Sequence, residues 1–131
     1  MSRVRTKAMV WIVRPGPEVL LLRLPQKRGG GEHQVTGKAD EQESPRECAA
    51  REAFEETGLR GDLVDLTFSH SYRGRRRDLE EHGFLLRVAK GSEPELSDEH
   101  VSSRWASPKE ARAALEWDAH REALQLALAA Y

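Results

Sequence analysis

The chain has 131 residues, enough for one compact domain over residues 1–131 with a single core. Its 21 lysines and arginines against 22 acidic residues leave a net charge of −1, which gives no general attraction to nucleic acid or to a membrane surface, and no apolar run approaches spanning length. Cys48 is the only cysteine, so no intrachain disulfide can form, and MSRVRTKAMVW lacks a signal-peptide apolar region; a cytoplasmic protein is expected.

Residues 8–13 and 19–24 are predicted strands joined by a turn at Arg14-Pro15-Gly16-Pro17. The second, VLLLRL, is a near-continuous apolar run and is expected to be central in a sheet. A glycine-rich loop over 26–32 leads to a short extended piece, 33–36, that delivers Gly37. Ser44-Pro45-Arg46-Glu47 is a capping box with proline in the first turn, and Gly58 is the expected left-handed stop. Between them, Glu47, Arg51 and Glu55 fall on one stripe with Cys48, Glu52 and Glu56 beside it. Ala49, Ala50, Ala53, Phe54 and Thr57 form the face expected to lie on a sheet. Residues 63–71 and 83–88 read as a strand pair connected by the polar stretch 72–82. A last short strand is expected over 101–106. A second capping box, Ser107 to Glu110, opens a helix through Leu115, and Asp118 is read as the cap of a final helix carrying Leu124, Leu126 and Leu128. The alternation of strands and helices argues for an α/β layered fold.

Chemistry concentrates in residues 37–59, GKADEQESPRECAAREAFEETGL. Glu52 stands three residues before Glu55 and four before Glu56, so these carboxylates can converge on one point and repel one another unless a cation intervenes. Hard oxygen donors of this kind suit Mg²⁺ or Mn²⁺ holding a phosphate substrate. Acidic helix faces are more commonly just solvated, so the spacing has to carry the argument. Arg51 is placed to pair with Glu47 and Glu55. Gly37 suits a sharp turn beside a metal, where a Cβ is unwelcome. A P-loop reading of residues 31–38 fails on glycine spacing and on Ala39 where a Ser or Thr is needed.

Gly37, five residues, Glu43, seven residues, then Arg51-Glu52-Ala53-Phe54-Glu55-Glu56-Thr57-Gly58-Leu59 resembles the Nudix box, with every defining Gly, Glu and Arg position filled. The resemblance implies the Nudix fold, a mixed sheet sandwiched between helices, and a Mg²⁺-dependent pyrophosphohydrolase (Mn²⁺ serving also). It implies Glu55 and Glu56 as metal ligands, Glu52 as ligand or base, and the Thr36 carbonyl as a further ligand. Arg51 orients the carboxylates. Gly37, Glu43 and Gly58 act structurally, and Thr36 and Gly37 border the substrate. Asp98-Glu99-His100 ahead of Arg104-Trp105 is similar to a pattern in nucleotide-acting members and brings in Glu99 as a metal ligand, with Glu80 and Glu81 as substitutes. Trp105 reads as core packing.

Arg23, Arg28 and Arg75 are candidate phosphate contacts, the last from the basic run Arg73 to Arg77, which Asp78, Glu80 and Glu81 follow. His33 and Tyr72 are able to stack on a base. His70, His82 and His120 show no metal-like spacing to one another. Gln34-Val35-Thr36-Gly37 and the segment after Trp105 resemble the dihydroneopterin triphosphate pyrophosphatase group and its relatives acting on nucleoside triphosphates. That implies a small-molecule substrate carrying linked phosphates, cut to a monophosphate and pyrophosphate, and it allows a homodimer. His33 departs from the tryptophan usual in that group. An asymmetric diadenosine tetraphosphate hydrolase is the alternative activity. A non-catalytic nucleotide sensor is the alternative of another class, and the intact Glu52, Glu55 and Glu56 weigh against it.

Overall fold

The structure, a computed structural model, describes residues 4–131. Its strands are β1 (Arg5–Arg14), β2 (Glu18–Arg23), β3 (Glu32–His33), β4 (Val35–Lys38), β5 (Asp62–Arg73), β6 (Asp78–Arg87) and β7 (Ser102–Ala106). Its helices are α1 (Pro45–Thr57), α2 (Pro108–Ala114) and α3 (Asp118–Ala130). The strands form one mixed sheet in the order β3-β2-β1-β6-β5, with β7 on β2 and β4 on β1. Among the described residues, no helix is long and apolar enough to cross a membrane.

Strand β1 organises everything. Along one edge it runs parallel to β6 from Arg5 opposite Leu79 to Val13 opposite Arg87. Its other edge is divided: Val13 and Arg14 pair with Val19 and Glu18 of β2, whereas Lys7 to Val10 pair with Lys38 to Val35 of β4. The sheet therefore forks between β2 and β4. Side chains alternate across a strand, so β1 and β2 bury both faces, which is why they are apolar almost throughout. Ala8, Val10, Ile12, Leu20, Leu22, Phe84 and Leu86 pack under α1. Met9, Trp11, Val13, Val19, Leu21 and Leu85 pack under α2 and α3.

Helix α1 begins and ends as the sequence predicts. Ser44 accepts from the Glu47 amide, Glu47 accepts from the Ser44 amide, and Gly58 closes the helix at φ 71°. Its buried face differs from the expected one: it is Cys48, Ala49, Ala53, Glu56 and Thr57, while Ala50 is exposed and Phe54 lies outside under the Arg60 guanidinium. The helix is rotated so that a carboxylate, not a phenyl ring, enters the sheet side.

Other corrections concern boundaries. Residues 72–82 are mostly strand: β5 and β6 pair from Asp62–Arg87 to Arg73–Asp78, and only Gly74 to Arg77 form the turn. The charge of this stretch suggests a connection, but only Tyr72, Arg73 and Arg75 to Arg77 face solvent at the hairpin end, whereas Leu79 to His82 lie between β5 and β1 with Glu81 buried. Asp118 is the first residue of α3 and not its cap; Trp117 occupies the capping position without a side-chain bond, and Asp118 instead accepts from Arg121 at 2.6 Å. The Ser107–Glu110 capping box forms as predicted. Trp105 is partly buried against the α1-side core, donates to Glu93 and carries Arg14 over its ring at 4.2 Å.

Candidate active-site cleft

The fork between β2 and β4 opens beside the middle of α1. A cleft of about 510 Å³ sits there, and its walls include Arg28, Gln34, Thr36, Glu52, Glu56 and Glu99. Glu52 and Glu56 are one helical turn apart, so α1 presents both to the same space. Glu56 is buried, with its Oε1 3.7 Å from His100 Nε2. Burial, then the neighbouring Glu52, Glu99 and Glu55 carboxylates, pushes its carboxyl up to about 9. His100 itself is pushed down by burial, and His33, whose Nε2 is 3.2 Å from that of His100, is pushed down to about 4 by burial and by His100. The Nδ1 of His100 and the Oε1 of Gln34 are buried without a hydrogen-bond partner among the described residues.

Gly37 lies in β4, directly under α1. A Cβ on it would stand 2.2 Å from Glu52 Cδ and 2.4 Å from Oε2. Its backbone is not in the left-handed region, so the reason for glycine is room for the Glu52 carboxylate and not the sharp turn expected from the sequence. The Gly37 carbonyl accepts from the Cys48 thiol at 3.6 Å, and burial raises that thiol to about 11, which leaves it inert.

Arg51 is the brace of the cleft. Its Nε and Nη2 donate to the two oxygens of Glu43 at 2.7 and 2.8 Å, its Nη1 donates to Glu52 at 2.8 Å and Glu55 at 3.0 Å, and Nη2 also reaches the Lys38 carbonyl. The Arg51 guanidinium holds Glu43 down at about 2, and Glu43 in turn raises the pKa of Arg51. The expected Arg51–Glu47 pair does not form, because Glu47 is engaged in the capping box. Glu55 is more than half exposed, turns to Arg51 and does not line the cleft.

The remaining candidates divide. Arg28 lines the cleft. Arg23 lies 3.7 Å from Glu32, which Arg104 holds through two bonds, away from the carboxylates. Arg75 lines a separate hollow of about 390 Å³ with Arg76 and Arg77 at the β5–β6 turn. Glu80 and Glu81 point to opposite sides of β6. Glu80 pairs with His82 at 2.8 Å, while Glu81, 2% exposed, faces α3.

That side holds a group the sequence does not disclose. Glu81 Oε1 is 2.8 Å from His70 Nε2 and 3.4 Å from His120 Nε2, and Glu81 Oε2 accepts from Thr36 Oγ1 at 2.9 Å. Burial alone would raise the Glu81 carboxyl, but the hydrogen bonds from His120 and His70 and the charge of Lys7 hold it down at about 2. The only trace in the sequence is parity: His70 and Glu81 become cross-strand partners once the β5–β6 register is known.

The site's chemistry fits a hard divalent cation, since its donors are carboxylate oxygens and the buried Glu56 carboxyl is crowded by like charge. A family model described as the NUDIX domain matches residues 3–127. A Myxococcus xanthus octanoyltransferase is 36% identical over 132 residues, covering 96% of this chain and 37% of that protein, so the chain spans little more than a third of its length. Among solved structures, the E. coli dihydroneopterin triphosphate pyrophosphohydrolase superposes with a TM-score of 0.83 at 19% identity, covering 96% of both chains. A C. elegans Ap4A hydrolase does so at 0.83 and 21%, covering 98% of this chain and 100% of the other. A MutT protein from Methanosarcina mazei reaches 0.77 at 23%, covering 95% and 92%. With the family model spanning nearly the whole chain and the same fold in all three structures, this protein belongs to the NUDIX domain family.

Proposed function

We propose that the chain is a Mg²⁺-dependent pyrophosphohydrolase that cleaves a nucleoside-triphosphate-like molecule, such as dihydroneopterin triphosphate or a (deoxy)nucleoside triphosphate, to a monophosphate and pyrophosphate. The observation that carries this reading is the buried Glu56 carboxyl set beside Glu52 and Glu99 in an open cleft with Arg28 on its wall. Glu52, Glu56 and Glu99 would hold the ion, with Glu55 near enough for its charge to be felt at Glu56. A divalent ion there, Mg²⁺ or Mn²⁺, supplies charge that draws in phosphate oxygens and acidifies a water.

The chain's own residues then position and neutralise. Arg28 attracts the phosphate tail. Arg51 keeps Glu52 aimed into the cleft, where its second oxygen serves either as a ligand of the ion or as the base that accepts the proton of the attacking water. Glu43 keeps Arg51 fixed. Gly37 leaves the space in which Glu52 sits.

The C. elegans Ap4A hydrolase superposes as well as the dihydroneopterin triphosphate pyrophosphohydrolase, which supports a diadenosine tetraphosphate hydrolase as the second reading. Pyrophosphate release should be measured with Mg²⁺ over a panel of dihydroneopterin triphosphate, the common nucleoside triphosphates and diadenosine tetraphosphate. Release from a triphosphate, lost in folded Glu52→Gln and Glu56→Gln, supports the first reading. Nucleotide products from the dinucleotide alone support the second. Full activity in both variants refutes the site.

A further inference from the structure

We infer that His70, Glu81 and His120 form a second metal site, separate from the box carboxylates, for a borderline transition-metal ion of the Zn²⁺ or Co²⁺ kind. The ligand atoms of these residues all lie within 4.8 Å of one another, and they come from β5, β6 and the first turn of α3. Both imidazoles aim the same atom, Nε2, at the same carboxylate oxygen, Glu81 Oε1. A tetrahedral site with bonds of about 2.0–2.1 Å has ligand atoms about 3.4 Å apart. The His120–Glu81 separation is 3.4 Å, and the 2.8 Å His70–Glu81 contact needs only a small opening.

The surroundings are those of a built site. Glu81 is 2% exposed, and its second oxygen is fixed by the Thr36 hydroxyl, the kind of outer hydrogen bond that orients a ligating carboxylate and leaves Oε1 for the ion. Phe68 and Tyr72 flank His70 along β5, with ring centroids at 5.9 and 5.4 Å, and restrict the imidazole. Lys7, whose charge is felt at Glu81, directs its Nζ to the Tyr72 hydroxyl at 3.0 Å. Three protein ligands leave a coordination position free, and the cluster lines a cavity of about 570 Å³ from which a small molecule can reach it.

Donor chemistry separates the two sites. Imidazole nitrogen favours Zn²⁺, Co²⁺ and Ni²⁺ over Mg²⁺, whereas the all-oxygen cleft favours Mg²⁺. The cavity at the histidines and the carboxylate cleft share Thr36 and His120 in their walls, so an ion here would sit between them.

The test is a Co²⁺ titration of the full chain with Mg²⁺ in excess, read by visible d–d absorption, followed by Zn²⁺ competition. One equivalent of Co²⁺ should give the intense bands of a low-coordinate histidine site, and Zn²⁺ should displace it. His70→Ala and His120→Ala should each weaken Zn²⁺ binding by at least about 100-fold, and His82→Ala, on the opposite face, should leave it unchanged. His120 is in the partly exposed first turn of α3, so its replacement keeps the fold, which near-ultraviolet circular dichroism verifies. The inference is overturned if no bands appear, if they survive in both variants, or if His100→Ala removes them in their place. Mg²⁺-dependent pyrophosphate release is measured in parallel without Co²⁺, so this site and the proposed activity fail independently.

Discussion

Replacing Gly37 by alanine should remove most activity while leaving the fold intact. The added methyl would stand 2.2 Å from Glu52 Cδ and 2.5 Å from Cγ. Non-bonded carbons rest at about 3.5–4.0 Å, so the carboxylate must retreat by roughly 1.5 Å. Displacing a catalytic group by about 1 Å costs about 100-fold in rate, so a loss of at least that size in kcat is expected. Stability should change little. The backbone at Gly37 is not left-handed, and alanine in a strand interior is better than glycine by roughly 0.5–1 kcal/mol. Against that stands the Arg51–Glu52 bond, worth about 1 kcal/mol, which the displacement would weaken. Steady-state kinetics on the best triphosphate, together with a thermal melt, give both quantities. In a Glu52→Gln background the same methyl should cost almost nothing further. Wild-type kcat in Gly37→Ala, or an equal loss in the two backgrounds, would refute the reasoning.

Glu56 predicts a pH dependence of stability in metal-free protein. Its folded pKa is raised to about 9. The folded state therefore holds a proton the unfolded chain has released, and stability is full below about pH 4.5 and falls as pH rises toward 9. At pH 7 the cost is of order 3 kcal/mol, and Glu56→Gln or added Mg²⁺ should remove it. A Tm in chelator that stays flat across this window in wild type would contradict the assignment. Arg51→Met leaves Glu43 and Glu52 without their cation and should destabilise by roughly 2 kcal/mol in urea melts, with Arg51→Lys restoring only part because the fork to Glu43 is bidentate. A melt of Arg51→Met that matches wild type would count against this. Arg28→Ala should raise KM several-fold, and Arg75→Ala should leave it unchanged, because Arg28 lines the cleft and Arg75 lines the separate hollow. The reverse ranking would move the phosphate tail to the β5–β6 turn.

The box region was legible because its information is local. Ser44, Glu47 and Gly58 set the ends of α1 by capping rules that involve neighbours in sequence, and helical periodicity then puts Glu52 and Glu56 on one side. The rotation of α1 was not legible, since Ala50 and Phe54 are as apolar as the residues that are buried. Which box acid faces the cleft follows from that rotation, so the sequence does not separate Glu55, which turns outward to Arg51, from its neighbours. Arginine candidates could not be sorted, because a surface guanidinium follows whichever carboxylate the fold brings near; Glu32 takes Arg23 and Arg104. The His70–Glu81–His120 cluster depends on strand register and on the docking of α3, both long-range, and no spacing in the chain encodes it.

The parallel pairing of β1 with β6 also governs how the molecule must assemble. Arg5 meets Leu79 and Val13 meets Arg87, so the central ladder joins segments with the whole of α1 and β5 between them. Loop-closure entropy has to be met before those contacts contribute, which makes this a high-contact-order and intrinsically slow topology. Helix α1 can nucleate early from its own caps and pack on β1 and β4, but Phe84 and Leu86 of β6 join that core late. A chain cut before β6 would leave β1 with an unpaired edge and the α1-side core without Phe84 and Leu86. Completion of the sheet is therefore a late event, and variants that slow β6 docking should delay recovery of full structure on refolding.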